Sequence, residues 1–368
     1  MSKPYPPQYY ADYLQLDRLL SCQSPQSAVH GKPAHDETLF IIVHQAYELW
    51  FKQILHELRS VLDRFERDYI DERDIGVVAL RLGRVIEIQK LLIDQIRVLE
   101  TMTPLDFLEF RDYLFPASGF QSVQFRLIEN LLGMKAEQRM LYNKEAYYSH
   151  VTPEHQAIIR QSERGPSLFE VIERWLERTP FLDFQDYHFW PSYRAAVENA
   201  LQHDRETVVN NTLSSEEEKQ KQLQELERNQ ESFTALFDAH THQELIAKGR
   251  RRFSYQAMQA ALLIHLYRDE PILHLPFRLL TLLVDLDELL TTWRYRHALM
   301  VHRMIGNKLG TGGSTGYHYL RATVDKYKVF SDLFDLSTFL IPRSALPELP
   351  ETLRRNLGFY YSQRMPHQ

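Results

Sequence analysis

Two histidines and one arginine stand where side chains could do chemistry. His44 lies inside an apolar stripe, Phe40, Val43, Tyr47, Phe51, Ile54, Leu58, Leu62 and Phe65, at the three- and four-residue steps of one helix face. His297 lies in a second stripe, Leu290, Trp293, His297, Val301 and Met304. An imidazole on a buried helix face is either a hydrogen-bonded packing residue or a lone pair offered to a ligand. Two of them on two long helices could sandwich a flat cofactor, or one could bind its iron while the other faces the open side. Neither is accompanied by an HExxH motif or a Cys/His/Asp cluster at metal-ligand spacing, which disfavours zinc.

Arg111 shares a helix face with Phe107 and Leu114. It could be laying its aliphatic stem over apolar surface, or presenting its planar donors as a fork to a carboxylate. Five of the thirteen glycines, Gly306, Gly310, Gly312, Gly313 and Gly316, crowd into one stretch directly after the stripe of His297. Such a cluster is either a long surface turn or a place where backbone approaches a ligand or takes positive φ. It follows a helix rather than a strand and lacks a P-loop ending, so nucleotide binding is disfavoured. Thr311 and Ser314, beside free backbone N–H groups, would suit a small carboxylate or the zwitterion of an amino acid.

These groups need rigid supports, and the sequence supplies long helices. Asp36 is placed to cap a helix running from Glu37 to Phe65, and a second helix is expected over about 77–100. Pro104 opens a short amphipathic piece with Phe107, Phe110, Arg111 and Leu114, then come a Pro-Ala-Ser-Gly turn and a helix from about Gln121. Further helices fall around 168–177, 191–201 and 254–267, and Pro276 opens the last long one, Phe277 to about Met304. Ser215 and Glu218 make a capping box ahead of a polar run that reads as a solvated or coiled helix. The segment 135–205 offers only a surface patch at Trp175 and Arg178.

Strand-like alternation and internal repeats are missing, so the fold class is all-α: one large helical domain with peripheral excursions. The expected divisions are an N-terminal arm with a short helix (1–35), the main helical domain (36–342, with an excursion about 135–240) and a C-terminal tail (343–368). In the arm, Tyr9, Tyr13, Leu16 and Leu20 repeat at helical spacing behind three prolines. This helix docks on its own body or reaches a neighbouring subunit.

Composition removes several function classes. A net charge of -6 with interspersed signs argues against a nucleic-acid partner, and Lys248–Arg252 reads as a solvated run before a helix. Cys22 is the only cysteine, so an intramolecular disulfide and a cysteine-rich metal site are excluded and a reducing, cytoplasmic home is expected. The N-terminus lacks a signal-peptide core, and no apolar run approaches the ~20 residues that span a bilayer, so no membrane partner is expected. A chain of 368 residues can bury a core large enough to enclose a cofactor.

Longer motifs carry a family resemblance. HQAYELWFKQI (His44–Ile54), FRDYLFPASGFQSVQFR (Phe110–Arg126), WLERTP (Trp175–Pro180) and WRYRHALMVHRMIGNKLGTGGSTGYHYLRATV (Trp293–Val324) closely resemble the tryptophan 2,3-dioxygenase family, over about Tyr10 to Pro342. The resemblance implies an all-helical haem b enzyme, active with ferrous iron. It would be a homotetramer built as a dimer of dimers, opening the indole ring of L-tryptophan with O2 to give N-formylkynurenine at the head of the kynurenine pathway. It implies His297 as the proximal iron ligand, His44 as the distal histidine on the indole N–H, Arg111 on the substrate carboxylate, and Thr311 near its ammonium and carboxylate. It further implies Phe40, Phe107 and Leu114 as pocket walls, and Tyr10 and Tyr13 as arm tyrosines completing a neighbour's pocket. Ser118, Gly119, Arg126, Trp293 and Tyr319 fall around the haem and its propionates. Set against this are a haem oxygenase for another aromatic, a haem or tryptophan sensor, and a cofactor-free helical interaction protein.

Overall fold

The structure, a computed structural model, describes residues 5–67, 69–134, 139, 148, 151–180, 182–184, 186–308 and 316–358. The arm forms three short turns, α1 (Tyr10–Leu14), α2 (Leu16–Leu19) and α3 (Gln26–Val29). Two long helices follow, α4 (Glu37–Phe65) and α5 (Glu72–Leu99), then α6 (Pro104–Phe110), α7 (Val123–Leu132), α8 (Pro153–Ser162) and α9 (Leu168–Glu177). Next come α10 (Phe189–Asn210), α11 (Glu216–Phe237), α12 (Ala239–Ala247) and α13 (Tyr255–Leu266). The longest helix, α14 (His274–Ile305), precedes α15 (Gly316–Lys326), α16 (Ser331–Asp335) and α17 (Glu351–Leu357). A two-residue ladder, Asp183–Phe184 with Tyr187–His188, is the only strand pairing among the described residues, so the chain is all-α.

Helix ends show how local sequence and tertiary contacts share the work. Asp36 sits at the cap position of α4 but its side chain makes no capping bond. The next residue, Glu37, is buried and accepts the backbone N–H groups of Gln26 (2.7 Å) and Ser27 (2.9 Å), satisfying the open start of α3 and tying the arm to α4. The helix α5 begins before the expected residue 77, at Glu72. Asp71 caps Asp74 N–H at 3.1 Å, and Asp74 pairs with Arg64 of α4 at 2.5 Å. Those contacts carry the helix across Gly76, a residue that costs about 1 kcal/mol in a helix interior. The Ser215–Glu218 box forms at α11, which buries only Phe233 and Leu236, as a solvated helix should.

Two readings of surface residues are corrected. Trp175 is buried, edge-on to Phe65 at 6.0 Å, because it lies on the apolar face by which α9 joins the core. The basic run 248–252 is solvated only at its start. Arg252 lies 4.1 Å over the Phe169 ring and donates to the carbonyls of Val329 and Gly133, fastening three distant segments.

The packing centres on three long helices, with α5 lying along both α4 and α14, α7 against α4, and α15 against α14. Their apolar faces make one large core and a smaller cluster of Val43, Ile96, Leu99, Met102, Phe110, Met300 and Met304. Tyr47 and Trp293 pack against both, marking the seam between them. Among the described residues, no helix is long and apolar enough to cross a membrane.

Candidate functional site

At that seam lies a cavity of about 290 Å³, lined from α4, α5, α6, α7, α14 and α15 and by the turn after α6. The helix α4 contributes Phe40, His44, Tyr47, Glu48 and Phe51, and α14 contributes Trp293, Arg294, His297, Met300 and Val301. The two stripes found by periodicity therefore face the same space.

His297 follows Trp293 by one turn, and the two rings stack parallel, centroids 5.3 Å apart with 4° between planes. Trp293 is boxed in turn by Phe125 at 5.1 Å, Tyr47 at 6.1 Å and Phe51 at 6.5 Å. This collar restricts the imidazole to few rotamers. Burial, with a smaller contribution from nearby His44, lowers the His297 pKa to about 4, so the ring is neutral at physiological pH and carries a lone pair. Burial likewise pushes the Tyr47 phenol up to about 12, and its hydroxyl donates to the Leu92 carbonyl at 2.6 Å.

His44 lines the cavity with its side chain accessible. Burial by the surrounding protein lowers its pKa, against smaller raising effects from the Phe40 carbonyl and Glu48. Its Nδ1 lies 2.7 Å from the Phe40 carbonyl oxygen, which can only accept, so the ring proton sits on Nδ1. A neutral His44 then shows the cavity a bare Nε2 acceptor. The Phe40 ring packs on it at 4.1 Å and meets Phe107 at 5.8 Å, extending the apolar wall.

Arg111 begins the 3-10 turn Arg111–Leu114 that ends α6. The start of α6 is set by a Thr103–Asp106 capping box, so the guanidinium enters the cavity from a short, well-anchored element. Ser118 and Gln121 form a second box around Gly119, and nothing lies within 4 Å of where a Cβ on Gly119 would stand. Backbone there borders open space. Glu48 accepts from Ser122 Oγ (2.6 Å) and Gln124 Nε2 (2.8 Å), tying this turn and α7 to α4.

On the α7 side, Glu129 is surrounded by three guanidinium groups, Arg139 at 2.6 Å, Arg294 at 2.9 Å and Arg126 at 3.0 Å. Burial alone would raise its carboxyl, but the three arginines together hold it at about 2. Arg126, Arg294 and Glu129 all border the cavity, giving one end of a largely apolar space a cationic wall.

Of the residues singled out in the sequence, the cavity gathers His44, His297, Arg111, Phe40, Phe107, Ser118, Gly119, Arg126, Trp293 and Tyr319. Leu114 packs in the smaller cluster without lining the cavity. Tyr10 and Tyr13 are exposed on the arm, and Thr311 lies outside the described residues. The sequence reading passed over Tyr47, Glu48, Glu129, Arg294 and Thr323 as cavity residues. Spacing offered a signal for some: Glu129 follows Arg126 by three residues, and Arg294 precedes His297 by three, within one helical turn.

Among the described residues, no three His, Cys, Asp or Glu side chains converge to cage a metal. A lone neutral imidazole in an apolar cavity holds a metal that brings its own equatorial ligands, as a planar macrocycle does. The cationic wall suits anionic substituents on such a group.

The profile of the family described as tryptophan 2,3-dioxygenase matches residues 5–340. A protein of Bdellovibrio bacteriovorus named tryptophan 2,3-dioxygenase is 52% identical over 357 residues, 97% of this chain and 99% of its own length. One of the same name from Alteromonas mediterranea is 49% identical over 98% of this chain and 99% of its own length. Another, from Dictyostelium discoideum, is 50% identical over 96% of this chain and 89% of its own.

Proposed function

The chain belongs to the tryptophan 2,3-dioxygenase family, and on that footing we propose that it inserts both atoms of O2 across the indole C2–C3 bond of L-tryptophan, giving N-formylkynurenine in the first step of the kynurenine pathway. The observation that carries this reading is a pair of neutral imidazoles, from α4 and α14, sharing one aromatic-walled cavity with a guanidinium.

Haem b is the cofactor this donor set fits: His297 would hold its iron, Trp293, Ser118, Gly119 and Tyr319 would surround it, and Arg126 would attend its carboxylates. Ferrous haem, when bound, would supply O2 activation, and the electron-rich indole would provide both electrons, so no outside reductant would be consumed per turnover.

The chain's own residues orient the substrate. Nδ1 of His44 is committed to the Phe40 carbonyl, so Nε2 accepts the indole N–H and fixes the ring plane; holding the ring is its main contribution. Arg111 forks the α-carboxylate and Thr311 attends the ammonium and carboxylate. Phe40 and Phe107 wall the indole and exclude water, with Leu114 supporting that wall from the adjoining apolar cluster.

The working assembly is a homotetramer in which the arm completes a neighbour's pocket. Supporting this, Tyr10 and Tyr13 are 74% and 70% exposed on one chain, an apolar surface for another subunit to cover. The divisions follow: arm 1–35, catalytic domain 36–342, tail 343–368. A cytoplasmic home agrees with a single, unpaired cysteine.

Anaerobic reduction of the haem-loaded protein, followed by L-tryptophan and air, is expected to yield N-formylkynurenine. A fully loaded protein that leaves tryptophan unchanged overturns the reading.

A further inference from the structure

Asp287 is among the buried carboxylates that the reaction just described leaves without a part. Asp287 of α14 is 0% exposed and accepts the Val329 N–H on both oxygens (3.1 and 2.9 Å) and the Phe330 N–H on one (2.9 Å). Two turns further along the same helix, buried Arg294 donates to the Tyr327 carbonyl at 2.7 Å and lies 5.2 Å over the Tyr327 ring. Its other amino group reaches Glu129 at 2.9 Å.

Together these two side chains grip Tyr327, Val329 and Phe330, the backbone that emerges from α15. That helix supplies Tyr319, Leu320 and Thr323 to the cavity wall, with Tyr327 directly after it. His297 rides on α14 with both gripping residues. A rigid helix thus carries the imidazole at one level and holds the end of the opposing wall at another.

We propose that Asp287 is a positioning residue: with Arg294 it fixes where α15 stands relative to His297, and so sets how closely the cavity fits its cofactor. The inference rests on the reading of the cavity as a haem site. Peptide N–H groups bonded to a carboxylate lose more than a neutral bond when it is removed, because the buried donors are left facing an amide that can itself donate.

Asp332 provides a matched control. It is as buried as Asp287, and its Oδ2 accepts the backbone N–H groups of Arg252 and Phe253 at 2.7 Å each, but neither it nor its donors border the cavity. A purely structural role would make the two carboxylates equivalent.

The test measures transfer of haem from the ferric holoprotein to apomyoglobin, together with amide hydrogen exchange in the cofactor-free protein. Asp287→Asn is expected to speed haem transfer roughly tenfold, and to speed exchange in 316–326 by a similar factor while α5 is unchanged. Asp287→Glu, which keeps both acceptor oxygens but moves them by a methylene, should give an intermediate rate. Asp332→Asn should lower the melting temperature and leave haem transfer at the wild-type rate.

The proposal is overturned if Asp287→Asn transfers haem within about twofold of wild type, or if Asp332→Asn speeds transfer equally. Should Asp287→Asn fail to fold, a wild-type transfer rate in Asp287→Glu overturns it. A wild-type protein that takes up no haem contradicts the cofactor reading instead, and exchange in 316–326 still decides the clasp.

Discussion

The two cavity imidazoles have different jobs because their surroundings differ. His297 is half-buried and stacked on Trp293, whereas His44 is bonded to Phe40 through Nδ1 and opens its other face to the cavity. His297→Ala should therefore yield protein without a Soret band, while His44→Ala keeps the band and part of the activity; equal haem loss in both contradicts the assignment. Arg111→Ala should lower kcat/KM by about 30- to 1000-fold, the equivalent of roughly 2–4 kcal/mol for one charged contact in a dry site. Arg111→Lys should recover little, since an ammonium cannot form the planar fork; steady-state kinetics with tryptophan as varied substrate decide both. These three residues were legible because each interrupts an apolar stripe with a polar group. The Glu129 network was legible only in part. Arg126 is its neighbour in sequence, but Arg294 is 165 positions away and nothing local announces that contact.

At the level of elements, periodicity found α4, α9, α13 and α14 because their apolar faces are long and regular. It misplaced what tertiary contacts decide: the cap of α4, where Glu37 serves the arm instead of its own helix, and the start of α5, carried past Gly76 by Asp74 and Arg64. Which stripes face one another is likewise set by packing, so the cavity itself could not be drawn from spacing. The join of α7 to α14 rests on Glu129 between its arginines. Replacing it by Gln leaves buried guanidinium groups without their anion and should cost about 3–5 kcal/mol in urea unfolding at pH 7. The pH dependence has a definite sign. The folded carboxyl titrates at about 2 against an ordinary 4.5, so its stabilisation is complete above 4.5 and is lost as pH falls towards 2. The gap between wild type and Glu129→Gln should narrow as pH falls through that window, and a gap unchanged between pH 6 and pH 3 contradicts the account.

On the scale of the whole molecule, the arm is the part least explained by the chain's own core. It is tethered at Gln26 and Ser27 by Glu37, yet exposes Tyr5, Tyr9, Tyr10, Tyr13 and Leu20. Removing residues 1–24 leaves that tether's acceptor and the cavity lining in place. It should preserve haem content while lowering kcat/KM roughly tenfold, about 1.4 kcal/mol, with sedimentation reporting the assembly state. Full activity in the truncated protein would end the case for an arm that completes another subunit's pocket. The parallel stack of Trp293 on His297 has a further, optical consequence. The chain has four tryptophans, Trp50, Trp175, Trp190 and Trp293, and only Trp293 borders the cavity. A porphyrin absorbs where indole emits, so light absorbed by Trp293 would pass to the bound ring instead of returning as fluorescence. The protein thus contains its own gauge of cofactor loading, readable without added dye.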